Sequence, residues 1–356
     1  MPAFYRSEVD QIPLSGLPEW LQDIIKDPLK AIATDVFDLA LGYVYDVQKE
    51  YIEASPASIW EETDGIAEGL CDVLKCSALK LAEYKKKIRH INMLPELIRM
   101  QCSMMGAWGV ATPNGKLVQM RTLDFGSGPF ANVTFLAVAH PSDAGHDFAS
   151  VSFPGMVGGV TGFSKYIGQC EKVDDVTGGK RPRGTYHGQA VSMVIRDVLQ
   201  FAETKEKAVE MTQAAKRTWS VWLGFGDHAS QQFEAVLYDE EQALALNDST
   251  LPALTGESYQ RDVAYIDKHP QPSTTDEMAN LVKKFYGNMT AEIVAQEFPS
   301  AMQSGDVHTA VYDMGNRRAF IARGTTDAAG SFVQYAYQAP IFAFDMDNLW
   351  NEIRSS

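Results

Sequence analysis

A chain of 356 residues, of which 45% are hydrophobic and 22% charged, has the length and composition of a folded protein with one large domain or two ordinary ones. Its formal net charge of −15, from 31 basic and 46 acidic side chains, repels phosphate backbones and argues against a nucleic-acid partner. No run of eighteen or more apolar residues occurs, so the sequence predicts no membrane span.

Residues 17–101 carry a helical pattern. Apolar side chains recur at helical spacing between Leu21 and Val36, with a predicted kink at Pro28. Amphipathic segments follow over 58–70 and 71–88. The first hundred residues are therefore predicted to be helical, and the helical spacing of apolar residues ends near residue 101.

From Cys102 onward the pattern changes to strands. Asn114-Gly115 between the apolar runs 103–111 and 116–123 is a strong signal for a hairpin. Further strands are predicted at 133–139, 148–153, 157–163, 218–224, 232–238 and 241–246, and a last hairpin at 307–313 and 317–323. Helices are predicted at 187–202, 204–217, 274–286 and 290–298, with a loop over 255–275. Strand blocks separated by helix pairs indicate an α+β fold built in layers.

The four cysteines are Cys71, Cys76, Cys102 and Cys170. No Cys-x-x-Cys pair is present and their spacing matches no zinc motif, so they predict no zinc site, and the chemistry inferred below needs no cofactor. Cys71 and Cys76 lie five residues apart in a helical stretch. We expect two buried structural thiols there rather than a disulfide.

Cys102 opens the first predicted strand, and Arg121 and Asp124 end the strand that returns from the hairpin, 19 and 22 residues later. An antiparallel hairpin brings the end of its second strand beside the start of its first, so these three residues should meet in space. The sequence thus places a thiol, a guanidinium and a carboxylate at one end of one hairpin.

These residue types suit nucleophilic catalysis. A thiol ionises with a pKa of about 8.5, which neighbouring positive charge lowers. If Cys102 begins a processed chain, its own α-amine, with a pKa of about 7.7–8.0, would accept the thiol proton without any histidine. Asp124 would hold that amine, and Arg121 would stabilise the thiolate or the polar head of a substrate.

The Cys102–Asp124 block resembles the cysteine N-terminal-nucleophile hydrolases, which include penicillin acyltransferase-like proteins, bile-salt hydrolases, and the acid ceramidase and N-acylethanolamine amidase group. In these families a cysteine opens the mature catalytic chain and an Arg-Asn-Leu-Asp-type motif follows. Here the motif is Arg-Thr-Leu-Asp, with Thr122 in place of the usual Asn. The segments 92–97, 102–109 and 267–273 are similar to acid ceramidase-like proteins of amoebae.

The resemblance implies a four-layer αββα sandwich that follows a helical N-terminal segment. It also implies self-cleavage of the Gln101–Cys102 peptide, which would separate a helical fragment, 1–101, from a catalytic domain, 102–356. The two fragments, of 101 and 255 residues, would stay packed together as partners.

One departure from the family pattern concerns the oxyanion hole. Relatives usually place an Asn in a Thr-Asn-type motif, and here Asp267 occupies that position. An ionised carboxylate would repel an oxyanion. Either Asp267 is protonated, or the donor is elsewhere, or the register differs. Asn247 is a second candidate, although it also suits a surface turn.

Aromatic and histidine residues offer further site candidates. Trp108 and Phe125 flank the block, where they would line an acyl pocket or simply pack in the core. His187 or His308 would give a Cys–His dyad if the fold brought either one to Cys102.

Two other motifs have simpler explanations than ligand binding. His140 and His146, with Asp143 and Asp147 nearby, would permit a metal site, but a polar surface loop explains them equally well. The glycines of 155–162 lack the Lys-Ser/Thr of a phosphate-binding loop and are expected to allow close strand packing or to line the pocket.

The location of the protein stays open. The residues 1–6 lack the apolar region of a signal peptide, whereas three glycosylation sequons, at Asn132, Asn247 and Asn288, are typical of secreted proteins. The acidic charge suits a lysosome-like compartment and the cytosol alike. We expect a secreted or lysosomal glycoprotein if a leader precedes this chain, and a cytoplasmic protein otherwise.

The resulting functional hypothesis is an amide hydrolase that acts on N-acyl substrates, ceramide-like or other lipid amides by resemblance, through a thioester acyl-enzyme. The alternatives are an acyltransferase, a phospholipid or ester hydrolase, and a catalytically silent homologue that acts as a binding protein. The sequence defines neither the head group nor the oligomeric state.

Overall fold

The computed structural model describes residues 36–97, 101–125, 130–142, 144–174, 185–218, 220–271 and 273–351, and only the backbone of residues 36 and 37. The helical pattern predicted between Leu21 and residue 35, with its kink at Pro28, lies outside the described residues. Within these ranges, no helix combines the length and the apolar character that crossing a bilayer requires.

The described N-terminal segment is helical, as predicted. It consists of α1 (Val36–Glu53), α2 (Ile59–Leu74), α3 (Ala78–Ile91) and the single turn α4 (Leu94–Leu97). The hydroxyl of Ser77 accepts a hydrogen bond from the Lys80 backbone N–H and so caps the start of α3. The predicted helical segments 58–70 and 71–88 are thus confirmed, but the break between them falls at 75–77.

The prediction of two separate thiols at Cys71 and Cys76 is wrong, because the two residues form a disulfide. Helix α2 ends at Leu74, and Lys75 takes the left-handed conformation with φ of 54°. The chain therefore turns back, and the Cys76 backbone N–H donates to the Cys71 carbonyl oxygen at 3.2 Å. In an uninterrupted helix of 3.6 residues per turn, residues five apart would point in different directions.

Two antiparallel sheets form the centre of the molecule. The first has six strands, in the order β10 (Val263–Ile266), β1 (Gln101–Gly109), β2 (Gly115–Asp124), β11 (His308–Asp313), β12 (Arg318–Arg323) and β15 (Phe342–Asp345). The second has seven, in the order β3 (Phe135–Ala139), β4 (Phe148–Ser152), β5 (Gly162–Ser164), β6 (Ile167–Val173), β7 (Val221–Asp227), β8 (Gln232–Tyr238) and β9 (Ala243–Leu246). A small hairpin pairs β13 (Thr325–Thr326) with β14 (Phe332–Gln334).

Helices cover the outer face of each sheet. The pair α5 (Val191–Phe201) and α6 (Lys205–Ala214) packs on the second sheet. After the short helix α7 (Leu251–Thr255), the pair α8 (Glu277–Phe285) and α9 (Ala291–Met302) packs on the first sheet, and the short α10 (Met346–Trp350) follows β15. The predicted four-layer αββα sandwich is therefore confirmed.

The inner faces of the sheets enclose a dense core. Its buried side chains come from both sheets and include Met104, Trp108, Phe163, Trp222, Phe233 and Tyr312. The sheets approach so closely that a Cβ atom on Gly106 of β1 would overlap the Phe233 ring of β8. This approach lets side chains of β6 reach side chains of β2.

Two predictions about the strands are wrong. The segment 255–275 is not a continuous loop, because it contains β10, whose short apolar run pairs with β1. The segment 157–163 is strand only from Gly162 onward, since the preceding residues form a loop in which the Gly159 N–H donates to Ser192 O at the start of α5. Neighbouring β6 was not predicted, because its Gln, Glu and Lys side chains suggest a surface, yet all are buried.

The segment 92–97, which we call the anchor segment, fastens the N-terminal helices to the sandwich. Asn92 donates to the carbonyl oxygen of Gly155 at 2.7 Å and accepts from the Val157 N–H at 2.8 Å. The buried Glu96 carboxylate accepts from the Val191 N–H at 2.8 Å, at the N-terminus of α5. A carboxylate there satisfies an unpaired helical N–H and complements the helix dipole. Buried hydrogen bonds and apolar contacts thus both hold the helical segment against the sandwich.

The disulfide leads to a simple chemical prediction. Protein purified without reductant and then denatured should take up two alkyl groups from iodoacetamide, at Cys102 and Cys170, and four after reduction. Intact mass and peptide mapping measure both numbers. A Cys71→Ser variant is the control, because it should expose Cys76 as a third thiol. Four alkylated cysteines in unreduced wild-type protein would contradict the disulfide.

Candidate active site

The β1–β2 hairpin positions the predicted nucleophile. Gln101 pairs with Asp124, Cys102 with Leu123, and Met104 with Arg121. Because side chains alternate along a strand, Arg121 lies on the same face of the sheet as Cys102, toward the second sheet. The hairpin thereby brings the thiol and the guanidinium into contact, as the sequence predicts.

Arg121 is fully buried between the two sheets. Its Nη2 donates to Cys102 Sγ at 3.2 Å and to Glu171 Oε2 at 3.1 Å, and its Nε donates to the Glu171 carbonyl oxygen at 3.3 Å. Its Nη1 lies 3.0 Å from His308 Nε2. The Glu171 carboxylate on β6 compensates the buried positive charge, which would otherwise be costly. Neither Glu171 nor His308 is near Arg121 in sequence.

The thiol of Cys102 is sealed from solvent, and Gln101 beside it is exposed. Burial raises the pKa of the Cys102 thiol, the Arg121 guanidinium opposes that rise, and the carboxylates of Glu171 and Asp124 add to it. In the intact chain the thiol is therefore protonated at neutral pH. A base is needed to make it a nucleophile.

Asp124 lies opposite Gln101 and organises the turn that follows α9. Its Oδ2 accepts from Ser304 Oγ at 2.6 Å, and its Oδ1 accepts from the backbone N–H of Gly305 at 2.7 Å and of Asp306 at 3.2 Å. Gly305 has φ of +99°, a conformation that L side chains rarely adopt. Burial raises the pKa of Asp124, and the Ser304 hydroxyl opposes the rise.

A group of hydroxyl side chains links the two strands on the helix-facing side. Ser304 Oγ lies 2.6 Å from Thr122 Oγ1 and 3.0 Å from Ser103 Oγ, and the Ser103 N–H donates to Thr122 Oγ1 at 3.0 Å. Thr122, which replaces the usual Asn of the motif, thus takes part in the hydrogen bonding that supports Asp124. Ser304 was not predicted, although a Ser-Gly-Asp turn directly before a strand is a recognisable signal for a polar turn.

His308, at the start of β11, is fully buried. Its Nε2 lies 3.0 Å from Arg121 Nη1 and 2.9 Å from Thr161 Oγ1. Burial, reinforced by Arg121, lowers the pKa of His308 well below its usual value. Arg121 therefore lies between this histidine and Cys102. The other dyad candidate, His187, is exposed.

Asp267 directly follows β10, whose Ile266 pairs with Met104. Its carboxylate is used within its own loop: it accepts from the His269 N–H and from Gln271 Nε2, each at 3.0 Å, and from the hydroxyl of Ser273. The structure thus brings Asp267 to the same end of β1 as Cys102. Its carboxylate oxygens already accept hydrogen bonds from residues of its own loop.

Asn247 lies elsewhere. Its side-chain oxygen accepts from the backbone N–H groups of Ser249 and Thr250, which makes it an exposed turn residue. The adjacent Asp248 carboxylate accepts from the N–H of Asp262, at the end of β10 that pairs with Ala107. The structure does not bring Asn247 to Cys102.

Trp108 is also far from the nucleophile. It lies six residues along β1, about 20 Å at the usual rise per residue, within the core between the sheets. Phe125, by contrast, packs in the same apolar cluster as Cys102. Of the two aromatic candidates, only Phe125 adjoins the site.

A narrow apolar cleft lies beside Leu123, in the hairpin that carries Cys102. Its walls come from the anchor segment, from β2 and from the loops between the sheets: Leu94, Pro95, Leu123, Phe125, Phe130, Phe153, Met156, Val160 and Val307. Leu123 is the residue that pairs with Cys102 in the hairpin. Among the described residues, no charged side chain lines this cleft, so it suits a hydrocarbon group.

No metal site is formed by the described residues, since no three His, Cys, Asp or Glu side chains cluster suitably. His140 instead pairs with Asp147 at 3.1 Å. Asp143, the other acidic candidate, lies outside the described residues.

These features define a class of protein: an αββα sandwich with a buried cysteine at the start of its first sheet strand. No family model matches the chain. Protein dcd1A of Dictyostelium discoideum is 30% identical over 355 residues, which cover 94% of this chain and 75% of that protein. Protein dcd1B of the same organism is 30% identical over 350 residues, covering 94% and 65%. The chain belongs to the family of these dcd1 proteins.

Among solved structures, two similar ones are enzymes. An N-acylethanolamine-hydrolyzing acid amidase ortholog of Caenorhabditis elegans gives a TM-score of 0.43 at 13% identity, over 68% of this chain and 99% of that one. Penicillin V acylase of Agrobacterium tumefaciens gives 0.42 at 14% identity, over 71% and 89%.

The buried carboxyl groups predict how stability depends on pH. Burial raises the pKa values of Glu96 and Asp124. The folded chain therefore holds protons that the unfolded chain releases above pH about 4. This contribution to stability is complete below that pH and is lost as the pH rises through the folded-state pKa values. His146 and His308, whose pKa values are lowered, act in the opposite direction below pH about 6.5.

We expect thermal unfolding in the Cys102→Ala background, where self-cleavage is blocked, to occur a few degrees higher at pH about 5 than at pH about 7.5. Glu96→Gln should shrink that difference, because glutamine cannot take up the proton. Glu50→Gln, which changes an exposed carboxylate on α1, is the matched control and should leave it unchanged. If Glu96→Gln and Glu50→Gln showed the same difference in unfolding temperature between the two pH values, the assignment to Glu96 would be contradicted.

Proposed function

We propose that this chain is an amide hydrolase whose nucleophile is Cys102, released as an N-terminal residue by self-cleavage of the Gln101–Cys102 peptide. The observation that carries the proposal is the contact of Arg121 Nη2 with Cys102 Sγ at 3.2 Å, at the start of a strand and beside an apolar cleft. A buried guanidinium in contact with a thiol stabilises the thiolate that nucleophilic attack requires.

In the proposed self-cleavage, Cys102 Sγ attacks the carbonyl carbon of Gln101. The bond between that carbon and the Cys102 nitrogen breaks, the nitrogen leaves as the α-amine with the thiol proton, and a thioester remains. Water then hydrolyses the thioester, which leaves a carboxylate on Gln101 and restores the thiol. Asp124, which pairs with Gln101 in the hairpin, offers a carboxylate to the new amine.

In turnover, the freed α-amine of Cys102 takes the thiol proton as general base, and Arg121 stabilises the thiolate. Attack on an acyl amide forms a thioester and releases the amine product, and water resolves the thioester.

The apolar cleft supports an acyl chain as the part of the substrate that binds. A long N-acyl amide would bury its hydrocarbon against Phe125, Phe130 and Phe153 while its carbonyl carbon reaches Cys102. Lipid amides, ceramide-like ones included by resemblance, are the substrate class that we propose.

The fragment 1–101 would remain bound after the cut. Its anchor segment contributes Met93, Leu94 and Leu97 to the cluster that contains Cys102, and Asn92 and Glu96 add buried hydrogen bonds. The cleft itself needs Leu94 and Pro95, so the N-terminal fragment would form part of the acyl site.

A secreted or lysosomal location fits this function better than a cytoplasmic one. Disulfides persist in oxidising compartments, and Cys71–Cys76 is one. The sequon residues Asn247 and Asn288 are both exposed, as glycan acceptors must be.

Self-cleavage is tested by intact mass under denaturing conditions, after incubation at acidic and neutral pH. We expect wild-type protein to split into fragments 1–101 and 102–356, and Cys102→Ala to stay whole. Cys170→Ala, which removes the other buried thiol, is the control and should cleave like the wild type. A wild-type chain that stays uncut at every pH would refute the N-terminal-nucleophile mechanism.

The substrate class is tested with cleaved protein and a series of fluorogenic N-acyl amides whose acyl chains differ only in length. Activity should rise from acetyl to long-chain amides, because a longer chain buries more apolar surface in the cleft. Phe153→Ser should flatten that dependence by weakening the binding of long chains. Short amides hydrolysed as well as long ones would contradict the acyl-cleft assignment, and a cleaved but inert protein would favour a binding role.

A further inference from the structure

The hydrogen bonds around His308 fix its tautomer. Arg121 Nη1, 3.0 Å from His308 Nε2, carries only donor hydrogens. Nε2 must therefore accept, so it carries no proton. Thr161 Oγ1, 2.9 Å from the same nitrogen, is then a second donor to it. The neutral ring consequently has its proton on Nδ1.

The Nδ1–H of His308 has no hydrogen-bond partner among the described residues, although the ring is fully buried. Buried polar groups are normally paired, and each exception calls for an explanation. Only Cε1 separates Nδ1 from Nε2, and Nε2 is the atom that both Arg121 and Thr161 contact. Within the described part of the chain, the Nδ1–H of His308 is therefore a neutral donor that is free to bind a ligand.

The surroundings of His308 point to the substrate as that partner. Leu123, which pairs with His308 between β2 and β11, lines the apolar cleft, and so does the preceding Val307. Phe153, another wall of the cleft, has its ring centroid 6.3 Å from that of the imidazole. Arg121 contacts Cys102 through Nη2 and His308 through Nη1, so thiol and imidazole are held by one guanidinium.

We propose that the Nδ1–H of His308 donates a hydrogen bond to the carbonyl oxygen of the acyl substrate and to the oxyanion that forms from it. This inference rests on the proposed function. It names a donor for the oxyanion among the described residues. Asp267, the candidate at the position of the usual Asn, has carboxylate oxygens that accept hydrogen bonds from its own loop.

In the step concerned, Cys102 Sγ forms a bond to the carbonyl carbon, and the π electrons of the C=O bond move to its oxygen. The thiol proton has gone to the α-amine of Cys102. His308 keeps its own proton throughout and only strengthens its hydrogen bond as negative charge develops. When the intermediate collapses, the C–N bond breaks and the leaving amine takes the proton from the α-amine.

Two amide variants separate the two nitrogens of the ring. In His308→Gln, the side-chain amide reaches the position of Nε2, so an oxygen can still accept from Arg121, but the Nδ1 donor is lost. In His308→Asn, the amide nitrogen falls near the position of Nδ1, so a donor remains, but the contact with Arg121 is lost. His308→Gln therefore keeps the acceptor for Arg121 and removes the donor, and His308→Asn keeps the donor and removes the acceptor.

The experiment uses the cleaved enzyme, a long-chain N-acyl amide, and iodoacetamide as a probe of the thiolate. For His308→Gln we expect a fall of about 100-fold in kcat with a smaller change in KM, and a rate of Cys102 alkylation close to wild type. For His308→Asn we expect slower alkylation of Cys102. When kcat is corrected for that lower thiolate reactivity, its fall should be smaller than in His308→Gln. This opposite pattern supports the donor role.

Other outcomes overturn the proposal. If His308→Gln lowers kcat and alkylation in parallel, the histidine only positions Arg121. If neither variant changes kcat, the donor is elsewhere. Failure of the proposed function is recognised separately, in the wild-type protein. The wild-type chain would then remain uncut or hydrolyse no acyl amide, whatever the His308 variants do.

If both variants fail to fold, the wild-type enzyme still decides the question. A long-chain aldehyde should add to Cys102 as a hemithioacetal, whose oxygen mimics the oxyanion. In protein labelled with ¹⁵N-histidine, the proton resonance of the His308 Nδ1–H should move downfield on binding, as a stronger hydrogen bond requires. A resonance that stays in place while Cys102 is fully modified would refute the inference.

Discussion

The site depends on one buried cation. The Arg121 guanidinium lies between two sheets with no access to water, and an isolated charge in that position would be strongly destabilising. It is stabilised because Glu171 binds it from the opposite sheet with both a carboxylate and a backbone carbonyl oxygen. Its remaining donors point at Cys102 and His308. The close approach of the two sheets is therefore both a packing feature and a condition for the chemistry.

The burial that surrounds Arg121 also encloses the thiol of Cys102. Cys102 is buried under apolar residues of the anchor segment, and burial raises the pKa of its thiol despite the neighbouring guanidinium. The anchor segment is fixed in turn by Glu96 at the start of α5 and by Asn92 on the loop after β4. Cys102, the apolar cleft and the N-terminal helices thus form one packed unit.

Polar residues divide between two faces of the first sheet. Cys102 and Arg121 face the second sheet, whereas Thr122 and Asp124 face the helix layer, where Ser304 and the turn at Gly305 bind them. The Asp124 carboxylate therefore binds Ser304, Gly305 and Asp306 on one face, whereas Arg121 contacts the side chain of Cys102 on the other.

The sequence by itself determined the local features. Asn114-Gly115 and its flanking apolar runs set the β1–β2 hairpin, and the hairpin register follows from neighbours in the chain, so the contact of Cys102 with Arg121 could be predicted. Helix periodicity and strand alternation predicted most of the helices and strands and the layered α+β fold.

The tertiary structure alone decided which distant residues join the site. Glu171 and His308 join the site from β6 and β11, and polar residues on such strands cannot be told from surface residues until the sheets are stacked. The disulfide depended on a left-handed turn at Lys75, and the places of Asp267, Asn247 and Trp108 depended on which strands pair, because long-range pairing is set by the whole core rather than by any local pattern.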